Sequence, residues 1–131
     1  MGIDKPKVGF FPGVFDFVHA GHVRAFREAK WYCDKLIVGI LVKPIGKEAP
    51  IMSVEERQIM IEGNRYVDGV VIYQSEEELQ AIDKILDVDV RFRGFDHAAT
   101  FHYETKAKFI DIIGDGRFHS SDIRKRCQQS S

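Results

Sequence analysis

The chain is poor in the residues that would mark it for several roles. It has two cysteines in 131 residues, Cys33 and Cys127, too few for a disulfide framework and not at metal-ligand spacing, which fits a reducing, cytoplasmic setting. Neither sign of charge is in excess: 19 Lys and Arg stand against 20 Asp and Glu for a formal net charge of -1, so nothing marks nucleic acid as a partner. No apolar run reaches the roughly 18 residues of a membrane span, and the short, charged start MGIDKPK lacks the apolar stretch of a signal peptide. Pro6 also stands where a myristoylation site needs Ser or Thr. With no repeat, low-complexity tract or linker, one domain over residues 1–131 is expected, its tail at 128–131 disordered.

What is present is an alternation of apolar runs and amphipathic stretches. Lys7 to Phe11 reads as a first buried strand, broken by Pro12-Gly13. From about Gly21 to Tyr32, Ala25, Phe26, Ala29, Tyr32 and Cys33 recur at helical spacing as one buried stripe headed by His22. Lys35 to Val42 is almost continuously apolar and β-branched, as a strand covered on both faces would be. Ser53 and Glu56 form a capping box for a helix to about Glu62, and Ser75 and Glu78 a second box before Leu79, Ile82, Ile85 and Leu86. Strands are expected at Gly69 to Tyr73, Val88 to Phe92 and Lys108 to Ile113, and a last short helix near Ser120 or Ser121. Five strands alternating with helices predict an α/β fold: one Rossmann-like, doubly wound, five-stranded parallel sheet with helices on both faces.

In such a sheet ligands gather at the carboxyl ends of the strands, near the switch point, and the corner after the first strand carries His19-Ala20-Gly21-His22. Two imidazoles at a helix start suit phosphate chemistry, because unpaired amides and the positive end of the helix dipole attract anions. Gly21 leaves room for close approach to the backbone. Read from the residues alone, metal binding is weakly supported, because no cysteine or carboxylate lies at ligand spacing. A packed His22 with a surface His19 accounts for the pair equally well.

The run Gly13-Val14-Phe15-Asp16-Phe17-Val18-His19-Ala20-Gly21-His22 resembles the G-x-F-D-x-x-H-x-G-H signature of the cytidylyltransferase family of HxGH nucleotidyltransferases. Lys47 with Arg57 is similar to the K-x(9)-R of its phosphocholine and heptose-phosphate members. Arg65-Tyr66-Val67-Asp68 resembles R-Y-V-D, Gly94-Phe95-Asp96 the family's G-x-D, and Phe118 to Ile123 its G-I-S-T-S-D-I segment. These matches span residues 8 to 126.

The resemblance implies transfer of CMP from CTP to a small phosphorylated acceptor, such as glycerol 3-phosphate or a choline- or ethanolamine-type phosphate, with release of pyrophosphate. It implies Mg2+ as cofactor, no protein-held metal, and a homodimer. His19, His22 and Lys47 would be the catalytic residues. Gly13, Val14, Phe15, Asp16, Gly21, Arg65, Asp96, Arg117, His119, Ser120 and Ser121 would bind nucleotide. Gly114 stands where the family carries an arginine, which leaves two alternatives: Arg117 or His119 supplies that cation, or the grip on the triphosphate is weakened. His97 and His102 are candidates for the acceptor side or for plain surface residues. Two other readings remain at this point: an adenylyltransferase of the same fold using ATP with a sugar phosphate or flavin, and a catalytically silent nucleotide-binding domain.

Overall fold

The strand Val8–Gly13 (β1), buried at all six positions, lies at the centre of a five-stranded, all-parallel sheet. Lys35–Leu41 (β2) and then Gly69–Tyr73 (β3) run on one side of it, and Val90–Arg93 (β4) and then Lys108–Asp111 (β5) on the other. The computed structural model describes residues 5–94 and 103–112. The helix expected near Ser120 lies outside them.

β1 runs on through Pro12-Gly13, where a break was expected, and these two residues pair with Gly39 and Ile40 of β2. The reason is the direction in which Pro12 faces. The Lys7 carbonyl accepts from Lys35 and the Val8 carbonyl from Asp89, so alternate residues of β1 face β2 and β4. Pro12, in phase with Val8, faces β4 beyond the last paired residues there, Phe10 and Arg91. Its missing N–H therefore removes no bond from the β1–β2 ladder.

Three described helices connect the strands: Ala20–Lys30 (α1), Val54–Glu62 (α2) and Glu76–Leu86 (α3). The chain winds outward from β1 through β2 to β3 and then returns to β4. Right-handed crossovers accordingly put α1 and α2 on one face and α3 on the other. Phe11, Phe26, Ala29, Leu36, Val38, Ile61 and Phe92 form the core under the first face; Phe10, Val14, Leu41, Tyr73, Leu79 and Val88 form the core under the second. This is the expected doubly wound sheet, and its switch point lies between β1 and β4.

Local details depart from expectation where the termini of helices matter. α1 stops at Lys30, so Tyr32 falls beyond the buried stripe of Ala25, Phe26 and Ala29 and is exposed. The Ser53–Glu56 box forms in both directions, whereas Ser75 caps α3 alone, because the Glu78 carboxylate accepts from Gln74 N–H instead of closing the box. Ile85 turns out to solvent and Asp83 is buried in the same helix. Among the described residues no helix is long and apolar enough to cross a membrane.

Candidate active site

The carboxyl end of β1 leads directly into the corner that carries both histidines. Two residues there adopt left-handed backbone, Phe15 at φ 56° and Phe17 at φ 57°, a conformation that L side chains avoid and that must be held by its surroundings. The Phe15 ring supplies part of that hold, packing edge-on to Phe11 at 6.0 Å and against Phe26 at 5.5 Å. A side chain at Gly13 would place its Cβ 2.8 Å from the Phe15 ring, so the glycine makes room for that ring. Gly13, Val14 and Phe15 were expected to contact nucleotide. The side chains of Val14 and Phe15 are buried in the two core layers, one on each face, which leaves the backbone of this stretch as the part that could face a ligand.

His19 is the N-cap of α1, an unusual residue for that role. Its Nδ1 accepts the Gly21 N–H at 3.1 Å, and the His19 N–H in turn is accepted by His22 Nδ1 at 3.1 Å. The histidines thus build a capping box of their own, satisfying helix-end amides that would otherwise need water. With Nδ1 of each ring accepting, the ring proton of each neutral imidazole sits on Nε2. The two rings lie 4.1 Å apart between centroids, and His22 also meets Phe15 edge-on at 5.5 Å. Burial, with the neighbouring His19 adding to it, lowers the His22 pKa to about 3, so the imidazole is neutral at any physiological pH. Gly21, expected to let phosphate approach, spends its N–H on His19.

Asp16, buried, accepts the Ile51 N–H at 2.9 Å through Oδ2 and the Met52 N–H at 3.0 Å through Oδ1. Lys47 lies exposed in the same loop, residues 42–53. Arg57 is 1% exposed and donates from Nη1 to the carbonyls of Val14 and Leu41 at 2.9 and 2.8 Å, and from Nη2 to Val42 at 2.9 Å. Its role as a brace was not read from the sequence. The signal was there: Arg57 stands four residues before Ile61, on the buried stripe of α2, where an aliphatic residue is the default.

The structure does not bring Arg65 to the histidines. Asp68, three residues on, exchanges hydrogen bonds with Leu36 at the start of β2, and His19 follows the end of β1. In a parallel sheet those are opposite ends, separated by a strand length of roughly 15–20 Å. Arg65 lies over the Tyr66 ring at 4.8 Å and donates to its hydroxyl at 2.6 Å, while Asp68 pairs with Lys30. Within one copy of the chain Arg65, expected to contact phosphate, therefore stands at the other end of the sheet from the histidines. Asp96, His97, His102, Arg117, His119, Ser120 and Ser121, with Gly114, lie outside the described residues.

Among the described residues no group of three or more His, Cys, Asp or Glu could hold a metal ion. Asp16, the carboxylate at the corner, has both oxygens on backbone amides, which does not fit a magnesium ligand.

The arrangement is a helix start and a pair of imidazoles at the switch-point end of a doubly wound sheet. A family model described as cytidylyltransferase-like matches residues 10–126. The chain belongs to the cytidylyltransferase-like family. Within reach of that family it is 36% identical over 96 residues to a protein of Hyphomonas neptunium named bifunctional protein HldE, covering 70% of this chain and 20% of that one. It is 42% identical over 77 residues to a probable ethanolamine-phosphate cytidylyltransferase of Encephalitozoon cuniculi, covering 55% and 24%. The cytidylyltransferase-like chain thus spans about a fifth to a quarter of the length of these curated relatives. The crystal structure of a lipopolysaccharide core biosynthesis protein from Thermoplasma volcanium GSS1 shares the fold, with a TM-score of 0.62 at 18% identity over 96% of this chain and 89% of that one.

Proposed function

We propose that this chain is a nucleotidyltransferase that moves CMP from CTP to a small phosphorylated acceptor and releases pyrophosphate. The single observation that carries the reading is the pair of imidazoles, each with Nδ1 engaged, at the head of α1. An acceptor phosphate oxygen attacks the α-phosphorus, the bond from that phosphorus to the β-bridging oxygen breaks, and pyrophosphate leaves with the electron pair. The reaction asks the protein for alignment and for donors aimed at oxygens that gain charge. Nε2–H of His19 and of His22 are such donors, and the low pKa of His22 keeps it a neutral donor. Lys47 supplies a mobile positive charge from the loop over the corner. The likeness to an ethanolamine-phosphate cytidylyltransferase favours CTP and a phosphorylated amino alcohol.

Magnesium belongs to this reading as a companion of the triphosphate, held by phosphate oxygens, and no step above runs through it. A homodimer and a cytoplasmic location belong to the same reading. Nothing at the corner selects the base, so the test offers CTP and ATP side by side, with and without magnesium, to phosphoethanolamine, phosphocholine, glycerol 3-phosphate and a sugar phosphate, and measures pyrophosphate. CTP-dependent release that drops at least 100-fold in His19→Ala and His22→Ala is expected. Strong preference for ATP would replace the cytidylyl reading with the adenylyl one. Nucleotide binding with no release from any acceptor would replace both with a silent binding domain.

A further inference from the structure

The loop 42–53 is tied to the histidine corner at both of its stems, and the ties come from two oppositely charged, buried side chains. At the first stem the Arg57 guanidinium joins the carbonyls of Leu41 and Val42 to that of Val14, two residues before Asp16. At the second stem the Asp16 carboxylate takes the N–H groups of Ile51 and Met52, and Arg57 Nε reaches the Ser53 carbonyl at 3.4 Å. A third tie runs from Phe17 N–H to Met52 Sδ at 3.3 Å. Each tie crosses between segments more than a dozen residues apart in sequence, apart from the local Arg57–Ser53 contact, and each lands on backbone or on the side chain beside it. The left-handed residues Phe15 and Phe17 flank Asp16 on both sides, so the turn that aims the Asp16 carboxylate at the loop is the same turn that sets the direction of α1 and its histidines.

We propose that Asp16 and Arg57 are positioning residues that fix the loop bearing Lys47 in register with His19 and His22. The assignment rests on the transferase reading for the roles of Lys47 and the histidines. Its geometry does not. Both Asp16 oxygens serve amides of the loop. Lys47 stands exposed, mid-loop between the two tied stems and beside Gly46 at φ 73°. A cation delivered by a loop is useful only if its reach matches the place where charge develops, and misplacement by about an ångström is enough to weaken turnover greatly.

The test uses Asp16→Asn, which keeps the size of the side chain, retains one acceptor oxygen and turns an amino group toward the other N–H. Arg57→Lys serves as the second variant. Amide hydrogen exchange on the intact chain reads the tie without any assay of activity. Exchange at Ile51 and Met52 should quicken at least 10-fold in Asp16→Asn, with the Leu36 and Val38 amides of β2 unchanged. In pyrophosphate release, Asp16→Asn should lower kcat more than it raises KM for CTP. Added to Lys47→Ala it should cost no further activity, within about two-fold, because both act through one loop.

Unchanged exchange at residues 51 and 52 in both variants would overturn the tie. Full multiplication of the Asp16→Asn and Lys47→Ala losses would overturn the coupling to Lys47, and a loss in Asp16→Asn repaired by raising magnesium would make Asp16 a metal-site residue instead. If the unmodified chain releases no pyrophosphate, the transferase reading fails while the exchange arm still decides the tie.

Discussion

Acidification should destabilise this chain through His22 in a pH range where its carboxylates are still ionised. The folded imidazole has its pKa lowered to about 3 by burial and, after that, by His19, whereas an unfolded histidine titrates near 6.5. As pH falls through 6.5 the unfolded chain takes up a proton at this position and the folded chain does not. Stability therefore declines toward acid, at up to about 1.4 kcal/mol per pH unit, or roughly 2 kcal/mol between pH 6.5 and 5. That is a ceiling, because the ring keeps partial contact with solvent. The range is chosen to lie above the region where Asp87, lowered to about 2 by Lys106 and Lys5, and the other paired carboxylates give up their own contributions. Urea denaturation followed by circular dichroism at pH 5 to 7, on the unmodified chain and on His22→Gln, isolates the effect. Glutamine can still accept the His19 N–H through its oxygen but does not titrate. The slope should be visibly flatter in His22→Gln; equal slopes in the two proteins would refute the assignment of a buried, neutral His22.

Three further substitutions probe the frame around the site. Arg57→Met leaves the carbonyls of Val14, Leu41 and Val42 without their shared donor and should cost about 3 kcal/mol or more in urea unfolding; a loss under about 1 kcal/mol would show that water replaces the guanidinium. Tyr103→Phe removes the hydroxyl that accepts from fully buried Arg91 at 2.5 Å and donates to Asp83 at 2.8 Å, with an expected loss of about 2–4 kcal/mol by the same measurement. Gly9→Ala would set a Cβ 2.6 Å from both Cys33 Sγ and the Phe92 ring and should destabilise by about 1–3 kcal/mol, an effect that Cys33→Ala in the same chain should partly relieve.

The order of strands and helices was legible because burial on both faces leaves a plain mark. A run such as Lys35–Leu41 must be apolar throughout, and Ser53 with Glu56 announces a helix start through local hydrogen bonds alone. The histidine corner was legible for a related reason: its residues are contiguous, so spacing alone sets His19 and His22 at one helix start. Long-range partners leave no such mark. Arg65 read as part of the site by pattern, yet the parallel sheet sends it and Asp68 to its far end. Pro12 read as a break, and only the phase of β1 against its two neighbours showed that its missing N–H costs the β2 ladder nothing. Asp16 and Arg57 carry the contrast furthest. Their residue types and spacing allowed a ligand contact or an ion pair along α2, and tertiary structure assigned them to amides and carbonyls 15 to 43 residues away. By itself the sequence determined which backbone could form and where two imidazoles would stand, because those follow from local periodicity and capping. Which charges face the ligand and which are spent holding the loop was decided by the fold, since a buried charge takes whatever partners the packed chain brings within hydrogen-bond reach.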